Sequence, residues 1–325
     1  MRNPSIALVT ARAARGTDYD MPLLLAALRN VGADAQEVDW DDDAIDWSRF
    51  DLVLLRSTWD YFDRLREFLA WAQRVSRQTQ LLNPLGVIRW NTDKHYLADL
   101  SGAGVPVVPS MFVEPGDDAL SAVDRFLQSI PHPLSAPSPA SGGRKSQDVV
   151  VKPAVGAGSR DAQRHAHENR DAIVAHVRRL LDKNRSVLLQ PYLERVDEHG
   201  ETALLFFDGV FSHAIRKGPL LKRNAGPTGG LYAEETITPR TPSPDELEVA
   251  QRALGAIPLQ TPLAYARVDL IRDADGAPCL LELELVEPSV FTRSAEGVAE
   301  RFARTILRCV KAPLPSEEGG RRPSA

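Results

Sequence analysis

Short apolar runs at residues 6–10, 35–38, 51–55 and 81–83 read as strands, and the stretches between them are long enough for helices. Between the third and fourth runs, Leu65, Phe68, Leu69 and Ala72 fall at i, i+3, i+4 and i+7. That spacing predicts a helix over about 63–77. Asp20 stands as a cap before a helix body at 22–28, and Gly32 suits its C-terminal end. Strands alternating with helices predict a parallel sheet with right-handed crossovers, whose ligands sit beyond the strand C-termini. Arg56-Ser57-Thr58-Trp59-Asp60-Tyr61 occupies such a place after the third strand.

The pattern then changes. Residues 93–100 read as a helix, 105–109 and 111–113 as edge or loop-bounded strands, and 120–130 as a helix. Residues 131–147 are rich in Pro, Ser, Gly and Ala and read as a mobile surface loop. A strand at 148–152, a helix at 170–183 and a strand at 186–190 follow. From about 191 the strands pair: 202–207 and 210–215 flank Asp208-Gly209, and 264–271 and 277–285 flank the turn 273–276. Helices are expected at 245–254 and 295–310, with a disordered tail from 313.

With 325 residues the chain is long enough for about two domains. It carries 39 Lys+Arg against 44 Asp+Glu, so a net charge of −5 argues against a nucleic-acid partner. No apolar run approaches the ~18 residues of a membrane span, so no membrane partner is expected either. Met1 leads directly into the first strand rather than into a signal peptide, and two cysteines without a C-x-x-C fit a cytoplasmic location.

Three features carry chemistry. Glu282 and Glu284 lie two apart on a strand, hence on one face, and the preceding turn brings Asp269 antiparallel beside them. Three carboxylates on one face either pair with nearby Lys and Arg or share a hard divalent cation such as Mg²⁺. Lys152 ends an apolar strand before Pro153-Ala154-Val155-Gly156-Ala157-Gly158-Ser159. Such a loop lets backbone N–H groups approach a phosphate, or is an ordinary turn. The Walker pattern is absent, and Asp161 stands where a dinucleotide fingerprint needs its third glycine. Lastly, Lys94, Lys152, Arg216, Lys217 and Arg267 place cations on or beside predicted elements, with Arg267 on the same strand face as Asp269.

In this order the features resemble the ATP-grasp superfamily, from about residue 6 to 310. The resemblance implies an α/β fold with a parallel-sheet N-terminal domain at 1–92, an α+β lid at 93–190 and an antiparallel-sheet domain at 191–312, followed by the tail 313–325. It implies ATP as cosubstrate and Mg²⁺ (or Mn²⁺) as cofactor. Lys94, Lys152, Gly156, Gly158, Ser159, Gln190, Tyr192, Leu193 and Glu201 match the nucleotide positions, and Asp269, Glu282 and Glu284 the metal ligands. Lys217 and Arg267 match the catalytic cations. Arg56, Trp59, Tyr61 and Arg216 are candidates for a small-molecule substrate, although Trp59 and Tyr61 suit plain core packing equally.

Two departures stand out. Glu284 replaces the usual asparagine, and Leu285-Val286-Glu287-Pro288-Ser289 replaces the usual Asn-Ser-Pro-Gly continuation. With Trp90-Asn-Thr-Asp-Lys-His-Tyr and Phe211-Ser-His-Ala-Ile-Arg-Lys, they resemble the subgroup containing the cycloserine-forming O-ureido-D-serine cyclo-ligase. The expected activity is ADP-forming C–N ligation through an acyl phosphate, possible within one molecule. An intermolecular ligase and an inactive nucleotide-binding module are the alternatives, and a homodimer is compatible with either.

Overall fold

The computed structural model describes residues 2–130, 147–224, 236–259 and 262–310. The loop expected at 131–147, apart from Gln147, and the tail at 313–325 lie outside them. Three sheets form.

The first contains β1 (Ser5–Thr10), β2 (Asp34–Asp39), β3 (Leu52–Ser57) and β4 (Gln80–Leu82) in the order β2-β1-β3-β4, all parallel. Alternation along β1 and β3 sets its two faces. Ile6, Leu8, Leu52 and Leu54 bury against α1 (Met21–Asn30) and the last helix, α9 (Val298–Cys309). Ala7, Val9, Val53 and Leu55 bury against α2 (Leu65–Gln78). There Trp40, Phe68 and Trp71 meet edge-on and stacked, each pair adding about 1 kcal/mol beyond its buried area.

The second sheet runs β5 (Met111–Val113), β8 (Val187–Pro191), β6 (Val149–Pro153) and β7 (Gln163–His165), all antiparallel. Val149, Val151, Val187 and Leu189 bury one face under α5 (Ala119–Ser129) and α6 (Arg170–Leu181). Val150 and Lys152 therefore point the other way.

The third sheet is also antiparallel: β11 (Ile237–Arg240), β10 (Val210–Lys217), β9 (Glu201–Phe207), β12 (Tyr265–Arg272) and β13 (Pro278–Glu284). Val268, Leu270, Leu280 and Leu283 bury one face with Leu97 and Leu100 of α4 (Tyr96–Gly102) and Val249, Ala250 and Ala253 of α8 (Pro244–Gly255). The register Asp269↔Glu282 and Arg267↔Glu284 puts those four side chains on the opposite face. The turn at Asp208-Gly209 has φ of 53° and 73°, as the hairpin signal requires.

Several expectations are corrected. Residues 105–109 form no strand, because Pro106 and Pro109 lack donors; Val107 alone bridges Leu280. The helix expected from 93 begins at Tyr96, after an unanticipated α3 (Leu85–Asn91). The strands β7 and β11 and the one-turn α7 (Val196–His199) carry too short a pattern to read. Asp20 precedes α1, but its side chain makes no capping bond. Among the described residues no helix is long and apolar enough to cross a membrane.

Candidate active site

A cavity of about 680 Å³ opens where the polar faces of the second and third sheets meet, beside the C-terminal ends of β1 and β3. Its apolar end is formed by Val108, Val150, Tyr192, Leu193, Ile271 and Leu281, with Gln190 at its edge. The strand β8 delivers Gln190 and continues into Tyr192 and Leu193, so backbone and apolar side chains face one slot.

Next along the cavity is a charged wall. Lys94 Nζ contacts Glu282 at 2.9 Å and donates to the carbonyl of Gly156 at 3.0 Å. Lys217 Nζ meets Asp269 at 2.6 Å and Glu201 at 3.1 Å. Arg267 donates to Asp269 at 2.9 Å and pairs with Glu284. Lys152 lines the same space. Burial lowers the pKa of Lys152, with Lys94 and Lys217 adding repulsion and Glu282 opposing. Burial alone would raise Glu282, but Lys94, Lys152 and Lys217 hold it at about 2. Glu284 goes the other way: burial and the nearby Asp269 and Glu282 push it up to about 7 despite Arg267.

The glycine loop covers this wall. Gly156, Gly158 and Ser159 line the cavity; Gly158 and Ser159 take φ of 61° and 58°. Asp161 ties the loop down through Arg179 and Arg185, both at 2.9 Å. Arg160 reaches Asp63 at 3.3 Å and lies over Phe62, so the loop also touches the first sheet's edge.

For a metal, the available donors are carboxylate oxygens, which suit Mg²⁺. Glu282 and Glu284 line the cavity with their carboxylates; burial, with Asp269 and Glu282 nearby, raises the pKa of Glu284 although Arg267 pairs with it. Asp269 is 1% exposed and stands behind the wall, with its oxygens on Lys217 and Arg267, which together hold its pKa down against burial. Among the described residues no three His, Cys, Asp or Glu side chains are gathered to hold an ion as they stand. The donor set therefore fits a cation on Glu282 and Glu284, with Asp269 behind them.

Two expected substrate contacts are corrected. Arg56 is wholly buried; it donates to the Pro288 carbonyl at 2.9 Å and pairs with Asp18 and Asp20 at 3.8 and 3.7 Å. It does not line the cavity, because two acids draw it inward. Arg216 faces away from Lys217 and fastens the carbonyls of Glu198 and His199. Gly200 must lack a side chain there, since a Cβ would collide with the backbone carbonyl oxygen of Lys217, and its own φ is 70°. Trp59 and Tyr61 line the cavity, and Tyr61 also stacks on Phe68.

Sequence reasoning missed Asp18, Glu287 and Ser289, which line the end opposite the apolar slot. Glu287 is 9% exposed, and burial with the charge of Glu284 pushes it up to about 8. The signal was present in the unusual continuation after Glu284.

Comparison with known proteins bears on this arrangement. The chain is 44% identical over 312 residues to the cycloserine biosynthesis protein DcsG of Streptomyces lavendulae, covering 94% of this chain and 99% of that protein.

The chain belongs to the D-cycloserine synthetase family of ATP-grasp ligases.

The family model for the D-cycloserine synthetase DcsG N-terminal domain matches residues 6–83, the span of the first sheet. A crystal structure of D-cycloserine synthetase DcsG superposes with a TM-score of 0.84 at 44% identity, covering 94% of this chain and all of that one. D-alanine–D-alanine ligase from Bacillus anthracis shares the fold at a TM-score of 0.62 and 14% identity, covering 94% and 96%. The ATP-grasp ligase PsnB does so at 0.60 and 19%, covering 95% and 99%. The protein is thus an ATP-grasp ligase, with a parallel N-terminal sheet and two antiparallel sheets, as the family membership requires.

Proposed function

We propose that this ligase spends ATP to activate a small amino-acid-like carboxylate and closes a C–N bond within that same molecule, as in cycloserine formation. The observation that carries the reading is one continuous cavity: an apolar slot, then Lys94, Lys152, Lys217 and Arg267 facing Glu282 and Glu284, then an acidic end. A nucleotide has the same order of chemistry, from base to triphosphate, with room left for a small acid.

In this reading adenine lies between Val150, Ile271 and Leu281 and meets the backbone near Leu193. Glu201 accepts from the ribose hydroxyls. Lys94, Lys152 and Lys217 offset the phosphate charge, which is what phosphoryl transfer mainly requires. Glu282 and Glu284 would hold Mg²⁺ or Mn²⁺, which supplies further positive charge beside the phosphates when bound. A substrate carboxylate oxygen attacks the terminal phosphorus, ADP leaves, and an acyl phosphate forms. The substrate's own nitrogen then attacks the acyl carbon, loses a proton and expels phosphate; with O-ureido-D-serine the carbamoyl group on that nitrogen must also be hydrolysed, leaving as carbon dioxide and ammonia, to give cycloserine. Arg267 would stabilise the oxyanion of that step. Holding both ends of one molecule together supplies proximity. The glycine loop of residues 156–159, with the second sheet as a lid, keeps water from the acyl phosphate.

The test is ADP release. With O-ureido-D-serine as the only added acid, release is expected without any second amine. Release that needs a separate amine would make the enzyme an intermolecular ligase. Tight nucleotide binding with no substrate-stimulated release would leave a binding module and end the reading.

A further inference from the structure

We propose that Glu287, which lines the acidic end of the cavity together with Tyr61 and Asp18, is the subsite that recognises the amino group of the substrate. This rests on the reading above and names a contact that it lacks.

Glu287 is nearly buried, lines the cavity, and forms no ion pair among the described residues. Its neighbours of opposite charge are already used: Lys94 on Glu282, and Arg267 on Asp269 and Glu284. Tyr61 lines the same cavity and stands near enough to stabilise the Glu287 carboxyl, but it brings no positive charge. A carboxyl held out of water without a cation is costly, so a site that keeps one suits a ligand that brings the cation. Asp18 repeats the feature on the same end: its Oδ2 is buried with no hydrogen-bond partner, and Arg56 approaches only to 3.8 Å. An ammonium group offers three donors and one charge, which matches this end of the cavity.

The segment that bears Glu287 is fixed from the first sheet's side. Tyr265 donates to the Val286 carbonyl at 2.7 Å, Trp59 to that of Glu287 at 3.3 Å, and Arg56 to that of Pro288 at 2.9 Å. The Asp20 carboxylate accepts from Val290 N, Phe291 N and Thr292 N at 2.8, 3.0 and 2.7 Å. Glu287 is therefore presented on a rigid strip, as a recognition group must be. The reacting carboxylate then falls toward Arg267 and the lysines, and the amino group toward Glu287.

The experiment is calorimetric titration in the presence of AMP-PNP and Mg²⁺. O-ureido-D-serine and its analogue with hydrogen in place of the α-amino group, 3-(ureidooxy)propanoate, are each titrated into wild type, Glu287→Gln and Tyr61→Phe. Wild type is expected to bind the amine-bearing ligand at least tenfold more tightly than the analogue. Glu287→Gln should reduce that ratio below about threefold, and Tyr61→Phe should give an intermediate ratio, with AMP-PNP affinity unchanged in both. Equal affinities in wild type, or the same discrimination in wild type and Glu287→Gln, would overturn the assignment. Loss of AMP-PNP binding in Glu287→Gln would overturn it too, as a general structural effect. Wild type that binds AMP-PNP but neither ligand would instead overturn the substrate reading, and the Glu287 assignment with it.

Discussion

At the scale of single residues, the site is a balance of cations and acids that is not closed. Lys94, Lys152 and Lys217 overcompensate Glu282 and hold it ionised at about 2, while Glu284 and Glu287 rise to about 7 and 8. Glu282 is thus ionised whether or not a metal is bound. Glu282→Gln keeps the shape of the side chain and removes that charge. The variant should fold, melt within a few degrees of wild type, and lose Mg²⁺-dependent ADP release by at least a hundredfold; near-normal turnover would refute its role. Strand alternation made the shared face of Arg267, Asp269, Glu282 and Glu284 legible, and Lys152 stood out at a strand end before the glycine loop; the other cavity residues were assigned only through the family resemblance. Arg56 and Arg216 were misread. An arginine at a strand end reads as a ligand clamp, and only the fold shows that Asp18, Asp20 and the carbonyls of Glu198, His199 and Pro288 already take their donors. Glu287 was not singled out because the sequence marks the continuation 285–289 as unusual only as a segment, and nothing in its pattern tells which of those side chains faces the cavity.

At the scale of elements, the strip 286–292 joins the first and third sheets. Asp20 was expected to cap α1, since an acid before a helix body reads that way. Its oxygens instead take three backbone N–H groups and the Thr292 hydroxyl, the last at 2.7 Å. Phe291 holds φ at 50° within this strip, a conformation that needs such support. Asp20→Ala would leave those donors buried without an acceptor and cost on the order of 3 kcal/mol. We expect a lower melting temperature and a substrate KM raised at least tenfold, with KM for ATP within twofold of wild type. Steady-state kinetics of both substrates decides this; equal rises in the two KM values would mean general loosening instead. The elements missed from sequence, α3, β7 and β11, are short segments whose state is fixed by what they pack against rather than by their own period. The long periodic elements, α2 and the hairpins β9–β10 and β12–β13, were readable within a few residues.

At the scale of the whole molecule, the buried acids tie stability to pH. Glu287 keeps its proton in the folded chain up to about 8, whereas the unfolded chain loses it near 4.5. Between those values the folded state binds more protons, so stability falls as pH rises across the window. His176 and His213, held at about 4 by burial, act in the opposite sense below about 6.5. The carboxyl effect therefore stands clear from pH 6.5 to about 8. Without ligands, the melting temperature should drop across that range, by on the order of 1 kcal/mol of stability per pH unit from Glu287, with Glu284 adding to it only up to about pH 7. Glu287→Gln should make the decline shallower; an identical slope in wild type and variant would contradict the assignment of that charge.

All of this depends on one cavity, built by sheets that bury their apolar faces elsewhere and turn their charged faces toward each other. The most direct measurement is a crystal structure with Mg²⁺ and AMP-PNP. The account predicts the triphosphate among Lys94, Lys152 and Lys217, with the ion on Glu282 and Glu284 and the base against Ile271 and Leu281. A triphosphate seated elsewhere, with no ion beside those two carboxylates, would contradict it.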